Sequence, residues 1–237
     1  LHMNTKLYTG TGSSNAVTGV GFQPDMVWFK SRSNADEHNI FDVLRGVTKV
    51  IEPSTTLAEY TQSNGLTAFG SDGFTVGDFN AGNRSGGSIV AWNWKAGTTS
   101  IPSGSSTAPT AVSINATAGF GIYTYTGTGS TGRTLAHGLN SVVKMIIVKR
   151  LNSTRDWAVY HSSLANTEYL ELNNDQAKAT ANLWGDTTPT SSLIYLGGDG
   201  QVNGGSDPYV MYAFASRTGY SKFGSYKGNS STDGPFI

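Results

Sequence analysis

Lys144-Met-Ile-Ile-Val-Lys149 carries the reading of the fold. Four apolar residues between two lysines are too short for a stable helix, and β-branched residues among them favour a strand. With no polar alternation inside the run, Val142–Val148 reads as a central strand covered on both faces. Asp25-Met-Val-Trp-Phe-Lys30 is the same element 119 residues earlier, with Met26–Phe29 as its apolar run. Working outward from this pair, further matches appear in the same order. Tyr8-Thr-Gly-Thr-Gly-Ser13 returns as Tyr125-Thr-Gly-Thr-Gly-Ser130, and His38-Asn-Ile-Phe-Asp42 as Trp157-Ala-Val-Tyr-His161. Phe74-Thr-Val-Gly77 returns as Ile194-Tyr-Leu-Gly197, and Val90-Ala-Trp-Asn-Trp94 as Val210-Met-Tyr-Ala-Phe214. The chain is a duplication. Apolar character survives it, but charge does not: Asp25 becomes Lys144 and Asp42 becomes His161. A shared catalytic carboxylate is therefore not what the two copies keep.

Composition agrees with strands. Glycine supplies 30 of 237 residues, and only 14% are charged. Such a chain is poor in strong helix formers. Sixteen basic residues balance sixteen acidic ones, which argues against nucleic acid or an anionic membrane as a default partner. No apolar run is long enough for a helical membrane span. Cysteine is absent, so apolar burial must hold the fold without disulfides. Leu1-His2-Met3 reads as a cloning scar. The Asn-x-Ser/Thr sequons at Asn83, Asn115, Asn152 and Asn229 follow from an Asn- and Thr-rich composition.

Turn signals at Ser63-Asn-Gly65, Ser71-Asp-Gly73, Gly197-Gly-Asp-Gly200 and Asn203-Gly-Gly205 separate the strands,. The expected fold is all-β: two tandem β-sandwich domains of lectin-like or jelly-roll type, leaving room for one short helix in each. Helical turns are expected over Thr55–Gln62, capped by Ser54, and within Asn173–Trp184. The first sandwich spans residues 4–97 and the second 117–221. Residues 98–116, rich in Ser, Thr, Gly and Pro, form a linker. Residues 222–237 begin a third copy or supply a closing strand.

Several stretches resemble a known family. Gly21-Phe-Gln-Pro-Asp-Met-Val-Trp-Phe-Lys30, Phe41-Asp-Val-Leu-Arg-Gly46, Gly65-Leu-Thr-Ala-Phe-Gly-Ser-Asp-Gly-Phe-Thr-Val-Gly77 and Val90-Ala-Trp-Asn-Trp-Lys95 are similar to a repeated domain of phage virion proteins. Gly219-Tyr-Ser-Lys-Phe-Gly-Ser-Tyr226 and Asp233-Gly-Pro-Phe236 extend the likeness, which covers nearly the whole chain. That domain, of unknown function, occurs in tail-fibre-like proteins, commonly of phages infecting marine bacteria. The resemblance implies a structural or adhesive module on a virion, extracellular once assembled. Its implied partners are other virion proteins, further copies in a trimer and a host cell-surface glycan. It brings no catalytic residues.

The residues themselves favour no enzyme. His161-Ser162-Ser163 lacks the geometry of a nucleophile and base, since neighbours on a strand face opposite ways. No spacing singles out the carboxylate pair a polysaccharide depolymerase needs. That reading and a purely architectural spacer are the alternatives to an adhesin. For a glycan, Trp184 in Asn182-Leu-Trp-Gly-Asp186 is the tryptophan expected to be exposed, with Asp186 beside it, whereas Trp28, Trp92 and Trp94 read as core. No cofactor is required. Calcium is the one ion whose chemistry the loops offer, through Asp199, Asn203 and Asp207, although hairpin turn chemistry explains the same residues.

Overall fold

The computed structural model describes residues 1–234. In the first half, β1 (Met3–Thr9), β2 (Asn15–Val17), β3 (Met26–Ser31), β4 (Asn39–Asp42), β5 (Lys49–Val50) and β6 (Tyr60–Thr61) are followed by β7 (Leu66–Gly70) and β8 (Gly73–Val76). A single helical turn, α1 (Asn80–Asn83), precedes β9 (Ser88–Trp94). After β10 (Ala111–Asn115), the second half contains β11 (Phe120–Thr126), β12 (Arg133–Ala136), β13 (Val143–Arg150) and β14 (Ala158–His161). It ends with β15 (Glu168–Glu171), β16 (Ala179–Thr180), β17 (Leu193–Leu196) and β18 (Pro208–Ala215). The protein is all-β, and its strand pairs are antiparallel.

Strand order repeats between the halves. The first main sheet runs β1-β9-β3-β4, and the second runs β11-β18-β13-β14 with β10 added at one edge and β15-β16 at the other. Register repeats too: Phe29 faces Asn39 in β3/β4 as Val148 faces Ala158 in β13/β14. Each main sheet carries a smaller one, β2-β8-β7 in the first half and β12-β17 in the second.

The layers follow from side-chain alternation. Val27, Phe29 and Ile89 turn toward the small first-half sheet and pack with Phe74 and Val76. Ile146, Val148 and Met211 turn toward β12-β17 and pack with Leu135 and Ile194. The alternate residues form a third core, in which Met26 and Ile40 of the first half meet Ile122, Ile147, Val210 and Tyr212 of the second. The order is small sheet, main sheet, main sheet, small sheet. Both central strands are apolar on both faces because each main sheet lies between two others.

Polar groups finish the junction. The Trp157 indole N–H donates to the carbonyl oxygens of Glu52 (3.1 Å) and Thr55 (3.0 Å). Lys149 Nζ donates to Thr56 O, and the Tyr212 hydroxyl donates to Asp42 at 2.6 Å. Asp42, fully buried, also pairs with Arg45. These contacts explain why Thr55–Gln62 is not helical and holds only the short strand β6. Thr55 and Thr56 give their carbonyls to Trp157, Lys149 and Arg155, while Glu59 N–H donates to Leu151 O. A helix would withdraw those groups into its own ladder. Asn173–Trp184 is not helical either: Asn173 Oδ1 accepts the Trp157 backbone N–H, and Ala179–Thr180 is drawn onto β15. Among the described residues the one helical turn, α1, lies elsewhere.

The expected linker is shorter than residues 98–116 because Ala111–Asn115 becomes β10 and pairs along β11. Asp25 fixes the crossing, accepting the Ala96 N–H and the Ser113 hydroxyl. The segment before β10 lies along β12, where Ser105 and Ser106 accept the N–H groups of Ala136 and Thr134. From residue 216 to residue 234 the described residues form no strand apart from a bridge between Arg217 and Ser221. Residues 235–237 of the expected third copy lie outside the described residues.

Candidate ligand-binding cleft

Where the two main sheets diverge, their aromatic residues line a cavity of about 360 Å³. Trp28 comes from β3, Trp94 from β9, Phe120 from β11 and Phe214 from β18, with Tyr220 and Phe223 at the rim. Duplication puts aromatics at both walls, since Trp94 and Phe214 are equivalent positions. Their rings form a ladder: Trp94 to Phe120 at 6.3 Å, Phe120 to Phe214 at 5.1 Å and Phe214 to Phe223 at 6.1 Å. Trp28 and Trp92 pair across β3 and β9, with ring centroids 6.2 Å apart and nearly perpendicular. Trp28, Trp92 and Trp94 were expected in the core; Trp28 and Trp94 pack against the third core but only at its margin. All three are half-buried, because their strand face covers the neighbouring sheet only in part.

Trp28 also holds one polar group that lies outside the cleft lining. The Trp28 indole N–H donates to His38 Nδ1 at 2.9 Å. This fixes the neutral tautomer, with the imidazole proton on Nε2. Burial, then the nearby Lys30 cation, lowers the His38 pKa below its ordinary value. No carboxylate lines the cleft. Its chemistry is that of an apolar, aromatic platform, suited to the C–H face of a ring.

Residues 1–237 match DUF7483, described as a domain of unknown function. The chain belongs to the DUF7483 family. No curated protein and no solved structure matches it. The match spans both halves of the DUF7483 chain and the connection between them.

Trp184 does not serve as the exposed platform expected of it. It is 1% exposed and packs edge-on against Tyr160, with centroids 5.8 Å apart. Gly185 and Asp186 both take left-handed backbone angles (φ 60° and 49°). The resulting turn tucks Leu183 and Trp184 beneath β17 and leaves Asp186 alone at the surface. The structure supplies the equivalence: Gly77 N–H bonds Gly65 O as Gly197 N–H bonds Leu183 O. Trp184 therefore stands where the first half has the buried Leu66.

The expected calcium ligands have protein partners. Asp199 accepts the Gln201 N–H at 2.7 Å, and Asp207 pairs with Arg150 at 2.7 Å. Asn203 is fully buried. Its Oδ1 accepts from Thr128 N–H, and its Nδ2 donates to Ser130 O and Gly197 O. Asn83 does the same with Thr11, Ser13 and Gly77. The sequence reading gave Asn203 to a calcium or turn loop and Asn83 to a sequon, and missed the turn-closing role they share. Their alignment at a separation of 120 residues was the available clue.

Proposed function

We propose that this chain is a structural and adhesive module of a phage virion fibre. In this reading, two tandem β-sandwich domains pressed sheet to sheet present the aromatic cleft to a host-surface glycan. The observation that supports it is the continuous aromatic ladder from Trp94 to Phe223, which draws on both halves and remains open to solvent. The half-buried indoles of Trp28 and Trp94 offer a sugar ring its stacking face,. Repeats and assembly with further copies would multiply weak single contacts into avidity. The module is not an enzyme, and it works outside the cell on the assembled virion. The absence of carboxylates from the cleft wall favours adhesion over polysaccharide cleavage there,.

A glycan-array screen of the wild type and Trp94→Ala, with and without calcium, tests this reading. Binding to a subset of glycans that Trp94→Ala abolishes is the expected result. Silence from the folded wild type would favour an architectural spacer, and release of reducing ends would favour a depolymerase.

A further inference from the structure

A second pocket, of opposite character, lies between the start of β4 and the segment around α1. It encloses about 440 Å³ and is lined by Asp36, Glu37, Glu52 and Asp78, with carboxamides from Asn39, Gln62 and Asn80. Some of this acceptor capacity is used. Arg84 Nη2 donates to Asp36 Oδ1 at 2.9 Å, the Ser54 hydroxyl to Glu37 Oε2, and Tyr60 and Thr55 to Glu52. Two acceptors are not: Asp36 Oδ2 and Asn39 Oδ1 are buried without a hydrogen-bond partner.

Asn39 is the informative residue. It is 1% exposed, and its Nδ2 donates to Glu37 O at 2.8 Å. That bond sets the amide orientation and leaves Oδ1 as the unpartnered atom. A buried acceptor without a donor is costly. The fold does not require one, because the equivalent residue in β14 is the buried Ala158. Asp36 and Asp78 likewise have no acidic counterparts in the second half, where Arg155 and Gly198 stand. Glu37 and Glu52 do have acidic counterparts, Asp156 and Glu171, so Asp36, Asp78 and Asn39 are what the first copy adds.

We propose that this pocket binds a free amino sugar, its ammonium group held by Asp36 and Asp78 and its N–H or O–H donors meeting Asn39 Oδ1. Four carboxylates against one guanidinium favour a cation. The volume suits a sugar ring rather than a bare ion. Calcium would need six to eight converging oxygens, and among the described residues no three His, Cys or acidic side chains are grouped to hold a metal. The proposal goes beyond the aromatic cleft and does not depend on it.

The test is calorimetric titration at pH 6 with glucosamine oligomers, N-acetylglucosamine oligomers and calcium chloride. Acetylation removes the charge and two ammonium donors, so acetylated oligomers should bind at least about tenfold more weakly. Asp78→Asn and Asn39→Ala should each weaken glucosamine binding roughly tenfold. Circular dichroism confirms that each variant is folded. Equal affinity for free and acetylated sugars, no binding by the wild type, indifference to Asp78→Asn, or calcium excluding the amine would each overturn the assignment. Loss of the Trp94-dependent glycan signal alone would not.

Discussion

Asn83 and Asn203 each close a turn by the same three side-chain bonds, and each lies in a site that admits no solvent. The turn they hold is Tyr-Thr-Gly-Thr-Gly-Ser, and its glycines have a steric cause. A Cβ on Gly10 would stand 2.2 Å from Arg84 O, and one on Gly127 would stand 2.1 Å from Gly204 O. The tyrosine belongs to the same device, since Tyr8 donates to Gly82 O and Tyr125 to Val202 O. Replacing either asparagine by alanine strands two carbonyls and one N–H. We expect Asn83→Ala and Asn203→Ala each to cost about 2–4 kcal/mol. Urea denaturation of the two variants measures this, and a loss below about 1 kcal/mol would mean water replaces the amide. Trp184 teaches the converse lesson at this scale. A tryptophan between polar loop residues looks exposed, but the backbone angles of the next two residues decide where it points.

At the scale of elements, both central strands were legible because continuous apolar runs have few structural solutions. The segments misread as helical were not: the partner of Thr55 lies 102 residues away and that of Asn173 lies 16 residues away, both beyond a helix's own reach. Local propensity carries no information about such partners. The β3/β4 hairpin has a consequence for pH. His38 lies at its turn and accepts the Trp28 indole N–H on Nδ1. His137, after β12, accepts the Leu139 N–H in the same way. Burial lowers the pKa of both. The unfolded chain then binds protons more readily than the folded one, so stability rises with pH in that window. Their contribution is complete above the ordinary histidine pKa of about 6.5 and is lost as pH falls toward the lowered folded values. Thermal melts should therefore decline from pH 7 to 5, and His38→Gln should flatten part of that decline. An unchanged slope in the variant would remove His38 from the account.

For the whole molecule, the duplication was plain in the sequence but the stacking was not. Differences between the copies mark where the halves meet. Asp25, Asp42 and Trp157 stand opposite Lys144, His161 and His38 in the alignment, and each of the first three serves the junction. Because a third core joins the main sheets, the halves should melt together, with calorimetric and van't Hoff enthalpies in agreement. Trp157→Ala, costing about 3–5 kcal/mol, should separate the transition into two. Two transitions in the wild type would show that the shared core is too weak to couple them.

The buried Asp42–Arg45 pair carries this further. Their side chains are 0% and 2% exposed, and Tyr212 caps the carboxylate from the other half. Mobile ions shorten the reach of surface charges to about 8 Å at physiological ionic strength and about 3 Å in molar salt, yet buried pairs feel this far less. A junction fastened in this way is nearly indifferent to ionic strength, and the single melt should persist from dilute buffer to brine.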